Sequence, residues 1–296
     1  MPSKLTVPEL RARKATAGRG EKLALVTAYD FTFARMLDAA GVDAMLVGDS
    51  LGMVIQGNAS TLPVTLDEVI YHCRAVARGA QRAHVIGDMP FMSYHGDANL
   101  SVANAGRMMK EGGCESVKLE GGREVAEAIH RMTRYGIPVL AHVGLMPQRV
   151  HAMGGFKVQG RGDEAAESIL EDAIAVADAG AWGVVIEGVP APLAERITRA
   201  IDVPTIGIGA GVGCDGQILV SYDLLGLNDA MRPRFVKRFE ELFQRGVEAT
   251  RAYVDEVRSG VFPGPEHSFG LGAPRPATVA DALPSLSASP TYGPTQ

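Results

Sequence analysis

Four acidic residues stand at the ends of short apolar runs. Asp49 follows Ala44-Met45-Leu46-Val47-Gly48, and Asp88 follows His84-Val85-Ile86-Gly87. Glu120 closes Ser116-Val117-Lys118-Leu119, and Glu187 closes Gly183-Val184-Val185-Ile186. Continuous apolar runs this short predict parallel strands covered on both faces. Carboxylates at the carboxyl ends of several such strands are what the active face of a barrel enzyme requires. Neighbouring strands lie ~5 Å apart, so Asp49, Asp88 and Glu120 on consecutive strands could surround one cation. Unpaired, the three would repel and raise one another's pKa. A hard divalent ion that takes oxygen ligands, Mg²⁺ above all, relieves that repulsion. The plainer reading makes each a cap for the helix after its strand. It suits any one of them alone; the three together favour the metal.

Other side chains on or beside these strands also suit chemistry. Lys118 and Glu120 are two apart on one strand and so share a face. A lysine pointing into a barrel is costly unless it meets an anion. It therefore grips a substrate carboxylate or keto oxygen, or it pairs structurally with Glu120. His142 ends Pro138-Val139-Leu140-Ala141, where it either donates to a substrate oxygen or sits satisfied in the core. Glu187 follows Val184-Val185-Ile186, surroundings that disfavour its charged form and suit a general base. The alternative is an ion pair with Arg196. Ser50 offers a hydroxyl beside Asp49, without the partners of a Ser–His–Asp nucleophile. Gly207, Gly209 and Gly211 suit a phosphate-binding turn and an ordinary tight turn equally well.

The elements that must carry these residues alternate along the chain. Thr6 and Glu9, and again Thr65 and Glu68, have the spacing of a capping box at a helix start. The first predicts a basic helix over residues 6–14, outside the barrel proper. Strands are expected over 23–30, 44–48, 84–88, 116–120, 138–144, 183–187, 204–211 with its turn, and 217–221, with helices between them. Pro147 to Gly162 is long and rich in glycine, as lids and disordered segments are. Two amphipathic helices are expected around residues 232–245 and 246–259. Eight strands alternating with helices predict an α/β fold, a (β/α)8 TIM barrel. A doubly wound open sheet is the competing topology. The expected domain spans residues 1–269; from Gly270 the chain turns to Ala, Pro, Ser and Thr and reads as a disordered tail.

At 296 residues the chain suits a single barrel domain. A net charge of −5 argues against a nucleic-acid partner. No apolar run approaches the roughly 18 residues of a membrane span, and the N-terminus has no signal-peptide core. Cys73, Cys114 and Cys214 form neither a disulfide framework nor a zinc pattern. The expectation is a reduced, cytoplasmic enzyme.

Several segments together resemble one family. They are Val26-Thr27-Ala28-Tyr29-Asp30, Val47-Gly48-Asp49-Ser50-Leu51-Gly52, Asp88-Met89-Pro90-Phe91, Val117-Lys118-Leu119-Glu120-Gly121, Gly154-Gly155-Phe156-Lys157-Val158-Gln159-Gly160, Gly207-Ile208-Gly209-Ala210-Gly211 and Gly260-Val261-Phe262-Pro263. In this order they resemble ketopantoate hydroxymethyltransferase, over residues 5–269. Co-linear motifs are far more specific than any one alone. The resemblance implies a (β/α)8 barrel that takes a hydroxymethyl group from 5,10-methylenetetrahydrofolate to 3-methyl-2-oxobutanoate, through an enolate stabilised by Mg²⁺. It implies Asp49, Asp88 and Glu120 as metal ligands, Ser50, Asp88, Lys118 and Asp49 as keto-acid contacts, and Glu187 as proton acceptor. Tyr29 and His142 match residues that line the same pocket, and the family forms homo-oligomers, commonly decamers. The chain departs from the family pattern at Gly188, where cysteine is usual, at Phe156, usually tyrosine, and at Met146 and Arg149, usually threonine and serine.

Two rival readings differ in class. Mg²⁺-dependent 2-oxo-acid enzymes of the isocitrate lyase and phosphoenolpyruvate mutase group share an acidic metal site. They usually carry a catalytic cysteine in a Lys-Lys-Cys-Gly-His-like loop, which this chain lacks. A non-catalytic barrel would not need all four carboxylates.

Overall fold

The computed structural model describes residues 3–15, 21–229 and 233–269. The segment expected to be a disordered tail, residues 270–296, lies outside the described residues. The chain divides into two compact units, Met1–Glu240 and Glu241–Gln296.

The first unit is a closed barrel. Its strands are β1 (Leu23–Thr27), β2 (Ala44–Val47), β3 (His84–Asp88), β4 (Ser116–Glu120), β5 (Val139–Gly144), β6 (Gly183–Glu187), β7 (Thr205–Ile208) and β8 (Gly216–Leu219). Each pairs in parallel with the next, and β8 returns to β1. No reversal of strand order remains, so the open-sheet alternative is excluded. The helices are α1 (Val7–Ala12), α2 (Phe31–Ala39), α3 (Leu51–Val54), α4 (Leu66–Gly79), α5 (Ala98–Gly112), α6 (Ala126–Arg134), α7 (Asp163–Asp178), α8 (Ala191–Ala200) and α9 (Ser221–Leu224). In the second unit, α10 spans Leu242–Ser259.

Both capping boxes form: the Glu9 carboxylate accepts from the Thr6 N–H, and the Glu68 carboxylate from the Thr65 N–H. The α5 helix stops where Gly113 turns left-handed, at φ 74°, a conformation that costs glycine little. Alternate residues of each strand face in or out. Val85, Val117 and Met45 pack outward against the helix layer, with Val76 and Met108. Leu25, Leu46, Ile86, Leu140 and Val185 fill the interior.

Three expectations need correction. The α1 helix is not outside the barrel's packing. Leu10, 1% exposed, joins the interior cluster with Leu23 and Trp182, a burial that contributes about 1.5–3 kcal/mol. Strand β8 begins and ends earlier than predicted. Residues 233–245 do not form a separate helix: Val236 makes a turn onto Pro233, and the Phe239 N–H donates to the Leu224 carbonyl. These contacts override the helical pattern, and α10 instead runs unbroken through Gly246. No described helix is long and apolar enough to cross a membrane.

Candidate active site

The strand register brings the acidic residues to one end of the barrel. Asp88 lies opposite Lys118 across β3 and β4, Glu120 opposite His142 across β4 and β5, and Glu187 opposite Gly144 across β5 and β6. Asp49 follows β2 after a single residue, Gly48. Asp49, Ser50, Asp88, Lys118, Glu120, His142 and Glu187 all line one cavity of about 1720 Å³. The loop after β5 supplies Pro147, Phe156, Lys157 and Val158 to its wall. Gly209 and Gly211 also line this cavity, both with positive φ.

The polar groups form a network. Lys118 Nζ stands 2.7 Å from Asp88 Oδ1 and 3.7 Å from Glu120 Oε1. Its nearer partner is therefore across the strands, not Glu120 on its own strand. The Asp49 N–H donates to Asp88 Oδ2 at 3.3 Å. His142 Nε2 lies 3.3 Å from Glu187 Oε2, and Nδ1 lies 3.6 Å from Glu120 Oε1. Neither ring nitrogen makes a hydrogen bond. Arg196 pairs with Glu167 instead of Glu187. None of the Asp49, Asp88 and Glu120 side chains caps a helix; their partners are the groups of this network.

Burial dominates the electrostatics. It pushes Asp49 well above the usual carboxylate range, and repulsion from Asp88 and Glu120 adds to the rise. Burial also raises Asp88, against the pull of Lys118. Glu120 is lowered despite its burial, because Lys118 and His142 favour its charge. Burial works against the Lys118 ammonium, yet Asp88, Glu120 and Asp49 outweigh it and hold the amine above its ordinary value. For His142, burial is likewise outweighed by Glu120 and Glu187, and its pKa is pushed up to about 9.

Tyr29 is buried and does not line the cavity; it reaches the site through Ser50, with 2.9 Å between the hydroxyl oxygens. Two contributors escaped the sequence reading. Gln148 and Tyr94, 3% and 2% exposed, are threaded among the carboxylates. Gln148 Nε2 donates to Asp49 Oδ2 at 2.9 Å, and the Gln148 N–H donates to Glu120 Oε2 at 3.1 Å. The Tyr94 hydroxyl donates to Gln148 Oε1 at 2.7 Å. Their only sequence signal is position, in the loops after β3 and β5. Thr61 also lines the cavity, with a buried hydroxyl that has no hydrogen-bond partner.

Among the described residues, no three His, Cys, Asp or Glu side chains are already gathered as a metal site. Lys118 and Gln148 hold the carboxylates individually. The donor set nonetheless suits a hard divalent cation: it is all oxygen, and three carboxylates face a single ammonium. The rise of Asp49 and Asp88 is the strain such an ion would relieve.

Residues 4–265 match the family described as ketopantoate hydroxymethyltransferase. The chain belongs to this family. It is 53% identical over 269 residues to the 3-methyl-2-oxobutanoate hydroxymethyltransferase of Syntrophotalea carbinolica, covering 91% of this chain and all of that one. The enzyme of the same name from Trichlorobacter lovleyi is 54% identical over 269 residues, with the same coverage of both chains. The chain is thus an enzyme, a hydroxymethyltransferase, as the co-linear motifs led one to expect. Among solved structures, a putative phosphonomutase from Burkholderia cenocepacia superposes with a TM-score of 0.60 at 17% identity, over 84% of this chain and 99% of that one. A phosphoenolpyruvate phosphomutase from Streptomyces platensis gives 0.58 at 14% identity, over 86% and 88%. Identities this low show the shared barrel and nothing of the mutase chemistry.

Proposed function

We propose that this enzyme transfers a hydroxymethyl group from 5,10-methylenetetrahydrofolate to 3-methyl-2-oxobutanoate, forming ketopantoate for pantothenate synthesis. The family supports the reaction. The convergence of Asp49, Asp88, Lys118, Glu120, His142 and Glu187 on one barrel mouth carries the assignment of roles.

Asp49, Asp88 and Glu120 would hold Mg²⁺. Bound there, the ion supplies Lewis acidity to the keto oxygen as negative charge grows on it. Lys118 and the Ser50 hydroxyl bind the keto acid's oxygens, and Tyr29 orients Ser50. Leu145, Val185 and Val189, which line the same cavity, receive the isopropyl group and keep water from it. Glu187 accepts the proton from C3, with His142 beside its carboxylate as the orienting group. Water adds to the folate's methylene carbon as both of its C–N bonds break, which releases tetrahydrofolate and leaves formaldehyde in the site. The C3 carbanion adds to that carbon, and the new alkoxide takes the proton held by Glu187, so a hydroxymethyl group remains on C3.

A cytoplasmic setting fits three cysteines that are free thiols. A homo-oligomer, commonly a decamer in this family, fits the α10 helix, none of whose residues is buried. Its Phe243 and Tyr253 are 43% and 56% exposed.

Deuterium exchange at C3 of the keto acid, followed by proton NMR without folate, tests the proton step. The wild type should exchange in the presence of Mg²⁺. Glu187→Gln should lose at least ~100-fold of that rate, the usual contribution of a general base, while still binding the keto acid. Exchange at the wild-type rate would remove Glu187 from the mechanism.

A further inference from the structure

One buried glutamine joins the two outer members of the acidic trio. Gln148 Nε2 donates to Asp49 Oδ2 at 2.9 Å and to the Met89 carbonyl at 3.0 Å, which uses both amide hydrogens. Its Oε1 accepts from the Tyr94 hydroxyl at 2.7 Å. Its backbone N–H donates to Glu120 Oε2 at 3.1 Å. The Tyr94 oxygen in turn accepts from the Glu120 N–H at 3.1 Å.

Only one orientation of the amide satisfies these partners. The Met89 carbonyl can only accept, so the NH₂ group must face it and, with it, Asp49 Oδ2. The Tyr94 oxygen already accepts from the Glu120 backbone, which leaves its hydrogen to donate to the Gln148 oxygen. A flipped amide would set oxygen against oxygen at Asp49 and at Met89. Asp88, the middle member, is held separately by Lys118 and the Asp49 N–H. Gln148 therefore bonds both outer carboxylates, Asp49 through its side chain and Glu120 through its backbone N–H, while Tyr94 fixes the Gln148 amide and the Glu120 backbone. Both residues are almost wholly buried, so no solvent competes for these bonds.

We infer that Tyr94 and Gln148 are positioning residues, whose hydrogen bonds preset the Asp49 and Glu120 carboxylates for a divalent cation. This rests on the reading of the acidic mouth as a cation site. Groups that orient metal ligands typically govern 10–100-fold of metal affinity.

Titration of the resting enzyme with Mn²⁺, followed by electron paramagnetic resonance without substrates, reads that affinity directly. Tyr94→Phe keeps the ring and removes the hydroxyl; its Mn²⁺ Kd should rise about 10-fold. Gln148→Ala should raise it by about 10–100-fold. The loss in the double variant should fall short of the product of the two single losses, because one of the two Tyr94 bonds acts through the Gln148 amide. Ser116→Ala removes another buried hydrogen bond, to His84 Nε2 at 2.8 Å, and serves as a control. It should lose thermal stability with its Mn²⁺ affinity unchanged, which separates positioning from general loosening. If Gln148→Ala does not fold, Tyr94→Phe decides. A wild type that binds no Mn²⁺ overturns the cation reading, and this inference with it. A wild type that binds, with variants that bind equally well, overturns the positioning role alone.

Discussion

Replacing Lys118 by methionine keeps the length of the side chain and removes its charge. In the wild type Lys118 is 4% exposed, and its ammonium stands 2.7 Å from Asp88 and 3.7 Å from Glu120. Without it, three buried carboxylates share a pocket with no lysine between them. Breaking a buried pair by removing one partner costs about 3–5 kcal/mol. For a chain of this size that corresponds to a melting temperature lower by roughly 6–20 °C. The cost should depend on pH. Loss of the ammonium raises the folded-state pKa of Asp88 and Glu120. A carboxyl group raised in this way favours the fold below its unfolded value, about 4, and loses that contribution as pH rises. The deficit of Lys118→Met should therefore be small near pH 4 and full at neutral pH. Mg²⁺ should recover more stability for the variant than for the wild type, because the ion restores missing positive charge. Thermal melts across pH, with EDTA and with Mg²⁺, measure all three effects. A variant that melts within about 1 °C of the wild type at every pH would show that Lys118 does not compensate the carboxylates.

Other perturbations probe the frame around the site. Gly144 ends β5 with φ 98°, and a Cβ there would lie 2.3 Å from the Glu187 carbonyl oxygen. Gly144→Ala should cost about 1–3 kcal/mol in backbone strain, read by urea unfolding. By displacing Glu187 it should also lower kcat on the order of 100-fold, read by product formation. At the opposite end of the barrel, burial lowers the His84 pKa, partly opposed by Glu115. The fold therefore prefers neutral His84. Its contribution is full above the unfolded value of about 6.5 and is lost as pH falls from there through the lower folded pKa. The stability of the wild type relative to His84→Gln should accordingly decline from pH 7 to pH 5; a constant difference would refute this.

The barrel was legible because its signals are local. Apolar runs closed by Asp49, Asp88, Glu120 and Glu187 mark strand ends within a few residues, and Thr65 with Glu68 marks a helix start within four. Partners across the barrel are not local. Nothing in the sequence pairs Lys118 with Asp88; the parallel register of β3 and β4 does that. Tyr94 and Gln148 are 54 residues apart, in loops whose paths depend on closure of the ring. The same holds for Leu10, whose short basic helix looks superficial until the interior it enters has been built. The stretch before α10 shows the converse: a helical pattern gave way to a tertiary hydrogen bond from Phe239 to Leu224.

Calorimetric titration of the wild-type enzyme with 3-methyl-2-oxobutanoate, once with Mg²⁺ and once with EDTA, tests most directly whether the acidic mouth works through a cation. Saturable binding should appear with Mg²⁺ and vanish with EDTA, since the bare carboxylates repel an anionic substrate. Equal affinity under both conditions would contradict the cation's part in holding the keto acid.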